Sequence, residues 1–514
     1  MPESPAPTMT TSASTLRGCD IPQFPASLPR ADANVREISA CRDLSRLLAG
    51  RRRWTGTAYV ELMGGRYVVI GGGLAGLASA VWLAEAGMDV TLLERRGRLG
   101  GRTHAMRAEQ VDDLPDNGQH VIASGYEHLF RYLTSVGTRE FVVFPKRSTL
   151  RWPDGRKKVV QTTGLGAVRT LFGVHPDATV ADRLRAARAT LRLGWQALHP
   201  PTDLADLSTD QWFDRAGMPA PAREALWDWL ALGIAAEPVT RGSAAVFARV
   251  MATGFRMGVR HRTPITIGYP TVDLDTLFVT GALRVFRERG VDVRYRAVAR
   301  RIEIEDGVVT GVLLADGSRV PADGVVCAVP NSNVAGLLDD LPEHAEICAA
   351  ADKLGYTPIV STNLYLDRPL GTESAFEGLI GGTGVIDEVF DRQIMHGRST
   401  ERGWLYCLTT SGAYEQIGKA NEEIVTEQMA LLRRYYPAAV AAEVLEAQVV
   451  KMPRATFSQV VGMDSLRPPQ CTSVPSLVLA GDWTATDWSA TMESAAQSAA
   501  IAVELLLEDA RERA

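Results

Sequence analysis

Residues 66–76 read RYVVIGGGLAG, and this stretch decides the fold. Tyr67–Ile70 is a short apolar run of the kind that forms a buried parallel strand, and Gly71–Gly76 follows it directly with the spacing G-x-G-x-x-G. The Ala- and Leu-rich residues 77–86 predict a helix that ends before Gly87. A strand, a glycine-rich turn and a helix in this order predict the first unit of a Rossmann-type α/β fold.

The residues after this helix complete a dinucleotide-binding unit. Residues 89–93 (DVTLL) predict a second strand, and Glu94 ends it near the position, about 20 residues after the first glycine, where an acid hydrogen-bonds a ribose. Gly71 permits a tight turn, Gly73 lets the backbone approach a pyrophosphate, and Gly76 lets the helix pack close to the sheet. The helix N-terminus offers free N–H groups to the anion. The predicted nucleotide contacts in this unit are Gly71, Gly73, Leu74, Ala75, Gly76, Glu94 and Arg95.

Two further segments extend the nucleotide site and favour a flavin. Residues 98–103 (RLGGRT) offer paired glycines for a second close approach and arginines for a phosphate. Residues 476–480 (SLVLA) predict a buried strand, and Asp482 just beyond it is placed to bind a ribityl–phosphate region. A helix predicted from Thr491 onward would stabilise the anion of a reduced flavin with its N-terminal dipole. The predicted contacts here are Gly100, Gly101, Arg102, Val298, Gly481, Asp482, Thr491 and Met492.

The sequence contains no second complete fingerprint. Residues 378–384 (GLIGGTG) are glycine-rich but lack a flanking strand, helix and acid, so they are predicted to form a loop. Residues 291–295 and 298–304 are predicted strands, hairpin turns are predicted at 306–307 and 316–317, and residues 324–330 are predicted to return the chain to the nucleotide-binding sheet. The chain is therefore expected to hold one dinucleotide and no separate NAD(P)H domain.

Composition argues against several classes of protein. The 514 residues include 55 basic and 60 acidic ones, and the net charge of −5 gives no electrostatic reason to expect nucleic-acid binding. The six cysteines contain no C-x-x-C pair, so neither a metal site nor a disulfide framework is predicted. No apolar run reaches the roughly 18 residues of a membrane-spanning helix. We expect a cytoplasmic protein, and peripheral contact with the inner face of the membrane stays open.

Further short motifs are spread along the chain: 116–121 (DNGQHV) with 125–126, 454–457 (RATF), 466–469 (LRPP), and 480–484 (AGDWT) with 490–494 (ATMES). With the first glycine fingerprint and its acid, residues 98–102 and Gly481–Asp482, the chain from Arg66 to Leu507 resembles the FAD-dependent amine oxidase and phytoene desaturase superfamily. The further motifs make it most similar, within that superfamily, to the hydroxysqualene dehydroxylases, also called squalene-associated FAD-dependent desaturases. Ser124–Tyr126 and residues 487–489 depart from the usual pattern of this subgroup.

The resemblance implies FAD as cofactor and a Rossmann-type FAD-binding domain built from discontinuous segments, with an inserted α+β substrate domain. Residues 1–65 are expected to be a disordered extension rich in Pro, Ser, Ala and Arg. The FAD-binding domain is predicted from residues 66–116, 281–330 and 451–514. The substrate domain is predicted from residues 117–280 and 331–450.

The resemblance also implies a C30 isoprenoid substrate that feeds hopanoid or sterol synthesis. Residues 222–235 (AREALWDWLALGIA) are apolar on nearly every helical face. Such a helix is either ordinary core, the wall of a tunnel for a polyprenyl chain, or a surface that dips into one membrane leaflet. The sequence leaves these three readings open.

The resembled reaction replaces an allylic hydroxyl of hydroxysqualene by hydride from reduced flavin and yields squalene. An acid must protonate the departing hydroxyl, and the candidates are Asp116, His120 and Tyr126, each of which also has a purely structural interpretation. An unidentified electron donor must re-reduce the FAD. Two alternatives remain: a carotenoid (phytoene-type) desaturase, which runs the flavin in the oxidative direction, and a flavin amine oxidase.

Overall fold

The computed structural model describes residues 64–513 apart from gaps at 107–114, 163, 174, 176, 263–264, 339–343, 383 and 398–402. The predicted extension, residues 1–65, therefore lies outside the described residues except for Gly64 and Gly65.

The strands alternate with helices at both ends of the chain and cluster in its middle. The strands are β1 Arg66–Ile70, β2 Asp89–Glu94, β3 Ile122–Ala123, β4 Val142–Val143, β5 Arg147–Arg151, β6 Lys157–Gln161, β7 Ile267–Pro270, β8 Asp292–Tyr295, β9 Ala299–Glu305, β10 Val308–Leu314, β11 Arg319–Pro321, β12 Gly324–Cys327, β13 Tyr356–Leu366, β14 Phe376–Leu379, β15 Glu388–Asp391, β16 Trp404–Ser411, β17 Val444–Phe457 and β18 Leu477–Leu479. The α-helices are α1 Leu74–Glu85, α2 Glu127–Ser135, α3 Gly164–Thr170, α4 Val180–Leu198, α5 Thr209–Ala216, α6 Ala220–Ala222, α7 Asp228–Ala235, α8 Ala244–His261, α9 Gly281–Arg289, α10 Ala335–Leu338, α11 Ala345–Lys353, α12 Arg392–His396, α13 Asn421–Tyr435 and α14 Met492–Arg513.

The nucleotide-binding half is built on a five-stranded sheet of order β18-β12-β1-β2-β8. β1 pairs in parallel with β12 and with β2, and β18 pairs in parallel with β12. All four residues from Tyr67 to Ile70 are buried, as expected for a parallel strand covered on both faces. The predicted α/β fold class and the predicted strands are confirmed.

Two helices cover this sheet closely because their contact residues are small. Helix α14 packs against α1 and buries Ala495, Ala496, Ala499 and Ala502. A Cβ atom at Gly76 would lie 1.8 Å from the carbonyl oxygen of Gly71. The third glycine of the fingerprint is therefore required by the packing of α1 against the turn.

A seven-stranded sheet of order β17-β13-β16-β15-β14-β5-β6 forms the other half. Its strands are mainly antiparallel, and the one parallel pair among them in the described residues is β14 with β5. Helices α4 to α8 pack beside it around a core that contains Trp212, Phe213, Trp227 and Phe247. The segment 222–235, predicted as one apolar helix, consists of three elements: the last residue of α6, a π-helical turn at Arg223–Trp227, and α7.

The borders between the two halves differ from the predicted residue limits. β17 belongs to the seven-stranded sheet, so the limit drawn between residues 450 and 451 falls inside a strand. Leu337 of α10 and Ala351 of α11, predicted in the substrate domain, share an apolar core with Val68. Leu129 of α2 likewise packs in the core of α1. Apolar faces of inserted segments pack on whichever sheet they meet, and sequence order does not specify which one.

Two smaller expectations need correction. Gly378 and Leu379 lie in β14, so the segment 378–384 is not wholly a loop. Cys327, Cys348 and Cys407 are buried thiols, whereas Cys471 is disulfide-bonded, which the cysteine spacing did not predict. None of the described helices combines the length and the apolar composition that a membrane-spanning helix requires.

Candidate functional site

A cavity of about 550 Å³ lies between the carboxyl edge of the five-stranded sheet and the seven-stranded sheet. This volume is within the range of about 300–1,000 Å³ typical of ligand sites. All the predicted cofactor contacts except Gly76 line this cavity. They are Gly71, Gly73, Leu74, Ala75, Glu94, Arg95, Gly100, Gly101, Arg102, Val298, Gly481, Asp482, Thr491 and Met492. Gly76 contributes through helix packing instead.

The glycine-rich turns leave room for a pyrophosphate at the N-terminus of α1. Gly73 is the N-cap residue of α1, and no side chain caps this end. Gly73 forms a bridge with Gly100, and a Cβ atom at Gly73 would lie 4.0 Å from the Cα atom of Gly101. Free amides and an open backbone cradle are the features that bind the pyrophosphate of a dinucleotide. These residues fit FAD.

Glu94 is the last residue of β2, and two hydrogen bonds hold its carboxylate in place. Its carboxylate accepts hydrogen bonds from the amides of Gly72 (2.8 Å) and Arg96 (2.7 Å). These bonds orient the carboxylate, and each oxygen keeps a lone pair for a ribose hydroxyl. The amide of Ala297 donates to the carbonyl oxygen of Glu94 at 3.0 Å, which places the neighbouring wall residue Val298 close to Glu94, so the adenosine end of the nucleotide fits here.

Two arginines join segments that are distant in sequence. Arg102 forms an ion pair with Asp482 and donates to the carbonyl oxygen of Ala455 at 3.0 Å. The buried Arg467 donates to the carbonyl oxygens of Asp482 (3.0 Å) and Thr484 (2.6 Å), and burial lowers its pKa to about 10. Sequence reasoning assigned no role to Arg467, because only the tertiary structure shows that its loop is wrapped around this guanidinium.

The N-terminus of α14 faces the cavity. Thr491 accepts a hydrogen bond from the amide of Ser494 at 3.2 Å, and Thr491 and Met492 line the cavity wall. Glu493 points the other way and accepts from the amides of His128 (3.0 Å) and Leu129 (2.8 Å), which it caps at the start of α2. Because this end of α14 faces the cavity, the positive end of its dipole is available to a partial negative charge there.

Asp116, the first predicted proton donor, is not part of the cavity wall. It is fully buried, forms an ion pair with Arg392 at 2.8 Å, and accepts from the amide of Leu274 at 2.9 Å. Burial raises its pKa to about 6. We withdraw Asp116 as a candidate acid because its carboxylate is enclosed behind the wall, where it joins three chain segments.

His120 and Tyr126, the other two predicted acids, do line the cavity. Nδ1 of His120 donates to the carbonyl oxygen of Gly118 at 2.9 Å, which leaves Nε2 as an acceptor in the neutral ring. Burial lowers the pKa of His120, so the ring is neutral near pH 7 and its Nε2 atom carries no proton. Burial, with the charge of Glu493, raises the pKa of Tyr126, and a phenol of this kind is a weak acid.

The seven-stranded sheet contributes wall residues that sequence reasoning missed. Ser361, Glu388 and Thr409 line the cavity from β13, β15 and β16. A local signal existed for one of them, because Asp387 and Glu388 interrupt the apolar run 385–390 (VIDEVF). Charged residues within a strand-like run are unusual unless they have a partner or a function.

Comparisons with known proteins agree with this geometry. A family model described as flavin containing amine oxidoreductase matches residues 74–507, and a model described as pyridine nucleotide-disulphide oxidoreductase matches residues 17–118. The chain is 28% identical over 445 residues to the hydroxysqualene dehydroxylase of Zymomonas mobilis, covering 85% of this chain and 98% of that protein. It is 24% identical over 470 residues to the 15-cis-phytoene desaturase of Arabidopsis thaliana, covering 86% of this chain and 80% of that protein.

A solved putrescine oxidase structure superposes with a TM-score of 0.67 at 17% identity, over 87% of this chain and 99% of that one, which shows a shared fold. The cradle at α1, the acid at the end of β2 and the two family models indicate an enzyme that binds FAD. Since the first family model spans most of the sequence, the chain belongs to the flavin containing amine oxidoreductase family.

Proposed function

We propose that this FAD-dependent oxidoreductase reductively dehydroxylates hydroxysqualene, or a closely similar C30 allylic alcohol, to squalene. The observation that carries the proposal is the extent of similarity: the match covers 98% of a hydroxysqualene dehydroxylase but 80% of a phytoene desaturase. When bound, the flavin supplies the hydride that replaces the hydroxyl.

The wall of the cavity suits an isoprenoid chain. Ile234 from the end of α7, Ile359 from β13 and Met452 from β17 line it, as do Val121 and Leu337. The apolar segment 222–235 therefore contributes both to the core and to the cavity wall. Such a surface binds a polyprenyl chain by removing its apolar area from water, and exclusion of water also favours positioning of the reacting carbon for hydride transfer.

The function is tested with the flavin reduced chemically under anaerobic conditions and hydroxysqualene supplied in detergent. We expect the yellow absorbance of the oxidised enzyme to return and one squalene to form per flavin, measured by mass spectrometry. Neither reoxidation nor squalene would reject the dehydroxylase. Bleaching of the oxidised enzyme by phytoene would instead support a carotenoid-type desaturase, which the similarity to the Arabidopsis protein keeps as the second candidate.

The proposed lipid substrate requires contact with a membrane, and one surface suits this contact. We define the apolar patch as Val180, Leu184, Leu191 and Trp195 on α4 with Phe255 and Val259 on α8, all 58–75% exposed. The two helices pack together. Exposed arginines surround the patch, namely Arg183, Arg188, Arg192, Arg256 and Arg260. Apolar side chains ringed by basic ones are typical of surfaces that bind anionic lipid.

Helix α8, which carries Phe255 and Val259 of the patch, also packs near the cavity through another face. A Cβ atom at Gly125 would lie 3.0 Å from Sδ of Met257, so this part of α8 packs next to Tyr126, which lines the cavity. Phe255 and Val259 are within one turn of Met257.

The double variant L191E/W195E should bind vesicles of phosphatidylglycerol at least about 100-fold more weakly than the unmodified protein, since each lost side chain removes roughly 1.5–3 kcal/mol of burial. Co-sedimentation measures the change. V440E is the matched control because Val440 is 67% exposed outside the patch. Equal binding by L191E/W195E and V440E would show that the patch is not the contact.

A further inference from the structure

A row of polar side chains crosses the largely apolar cavity wall. In the antiparallel register, Ser361 of β13 is opposite Thr409 of β16, and Thr409 is opposite Glu388 of β15. Residues directly opposite each other in a sheet point to the same face, and all three line the cavity. The row begins beside the predicted site segment, since a Cβ atom at Gly118 would lie 2.7 Å from Oγ of Ser361.

Two groups of this row lack partners among the described residues. Thr409 is 7% exposed, and its Oγ1 atom is buried without a hydrogen bond in that part of the chain. The carboxyl of Glu388 faces α7, where a Cβ atom at Gly233 would lie 3.9 Å from its Oε1 atom. A buried polar group without a partner is uncommon and calls for an explanation such as a ligand. A hydroxyl group on the substrate would satisfy both side chains.

The surroundings keep Glu388 in its acid form. Burial, and then the charge of Asp387, raise the pKa of Glu388 to about 8, and burial raises the pKa of Asp387 to about 7. The strands beside Glu388 offer Thr409 and Gly378, and α7 offers Gly233 and Ile234, none of which carries a charge. At neutral pH Glu388 therefore holds a proton, whereas His120 holds none on Nε2.

We propose that Glu388 is the proton donor that protonates the departing hydroxyl of the allylic alcohol, with the Thr409 hydroxyl hydrogen-bonded to the same oxygen. This inference rests on the proposed function. Glu388 replaces Asp116, His120 and Tyr126 as the candidate acid, because its carboxyl group lines the cavity and is protonated at neutral pH.

The step balances as follows. The C–O bond would break while the carbon accepts a hydride, that is, a proton and two electrons, which the reduced cofactor would supply when bound. The oxygen accepts the proton of Glu388 and leaves as water, so R–OH becomes R–H. The Glu388 carboxylate regains a proton from solvent, and an external donor of the reduced-nicotinamide or reduced-flavoprotein class restores the two electrons.

The test compares hydroxysqualene with its acetate ester, whose carboxylate leaves without protonation, in single turnovers of the chemically reduced enzyme. E388Q should convert the alcohol about 10²–10⁴-fold more slowly but the ester within threefold of the unmodified enzyme. E388D should recover part of the alcohol rate. E422Q, which alters an exposed carboxyl on α13, should behave as the unmodified enzyme with both substrates.

The outcomes separate the two proposals. If the unmodified enzyme forms no squalene, the proposed function fails and this inference with it. If it forms squalene and E388Q keeps the alcohol rate within threefold, or loses the ester rate equally, Glu388 is not the donor and the function stands.

The pH dependence gives a second check. Because the donor must be protonated, the alcohol rate should fall as pH rises through about 8, and the ester rate should not. D387N removes the neighbouring charge and should move this fall to lower pH. A raised carboxyl pKa lowers stability as pH rises from the unfolded value towards the folded value, so E388Q should gain denaturant resistance relative to the unmodified protein between pH 4 and pH 9. A constant difference would contradict the assigned environment of Glu388.

Discussion

Gly73→Ala is expected to purify as a folded protein that is almost free of FAD. The nearest heavy atom to a Cβ at Gly73 is the Cα atom of Gly101, at 4.0 Å, and the backbone angles of Gly73 (φ −76°, ψ 178°) are open to alanine. The protein itself therefore accommodates the methyl group. That group would occupy the gap through which a pyrophosphate reaches the free amides of α1. We expect about 100-fold weaker FAD binding, or about 2.7 kcal/mol.

The ratio of flavin to protein absorbance after purification and a titration with FAD measure this effect. Gly97→Ala is the matched control, because a Cβ atom there meets Nε of Arg296 at an ordinary 3.6 Å and Gly97 is outside the cavity wall. Full flavin content in Gly73→Ala would place the pyrophosphate elsewhere and would undermine the geometry assigned to the site.

Arg392→Met is expected to lower the free energy of unfolding by about 3–5 kcal/mol at pH 8. The side chains of Arg392 and Asp116 are both fully buried, so removal of the guanidinium leaves a buried carboxylate without its counter-charge. Burial already raises the pKa of Asp116 to about 6, and loss of Arg392 would raise it further. The destabilisation should therefore shrink at pH 5, where Asp116 can be protonated.

Urea unfolding at the two pH values tests this prediction. Arg368→Met is the control, because the side chain of Arg368 is 48% exposed in its pair with Asp367, and an exposed pair contributes about 0–1 kcal/mol. If both variants lost the same small amount at both pH values, the buried pair would not be the structural link between residue 116 and α12 described above.

The nucleotide-binding unit could be predicted from the sequence because its parts are local. The strand at Tyr67–Ile70, the turn at Gly71–Gly76, helix α1 and the acid Glu94 follow one another within a single stretch of chain. Apolar periodicity and the lack of a Cβ in glycine act over a few residues, so their consequences can be read without knowing what packs against them. Residues from both ends of the chain line one cavity. This was expected, because the carboxyl ends of parallel strands lie at the same edge of a sheet.

The proposed proton donor, Glu388, could not be found from such local sequence patterns. Asp116 and His120 are close in sequence to a recognised motif, yet Asp116 turns away to Arg392, 276 residues later. Glu388 reaches the cavity only because β15 pairs with β16 in a particular register.

The sequence alone thus determined the fold class and the cofactor and predicted the cradle at α1, because short-range sterics and hydrophobic periodicity are sufficient for those features. Only the tertiary structure decided that Asp116 is enclosed, that Glu388 faces the cavity, and that Arg467 binds the loop 482–484. Burial and charge pairing depend on neighbours from distant parts of the chain, and strand register and packing alone bring those neighbours together.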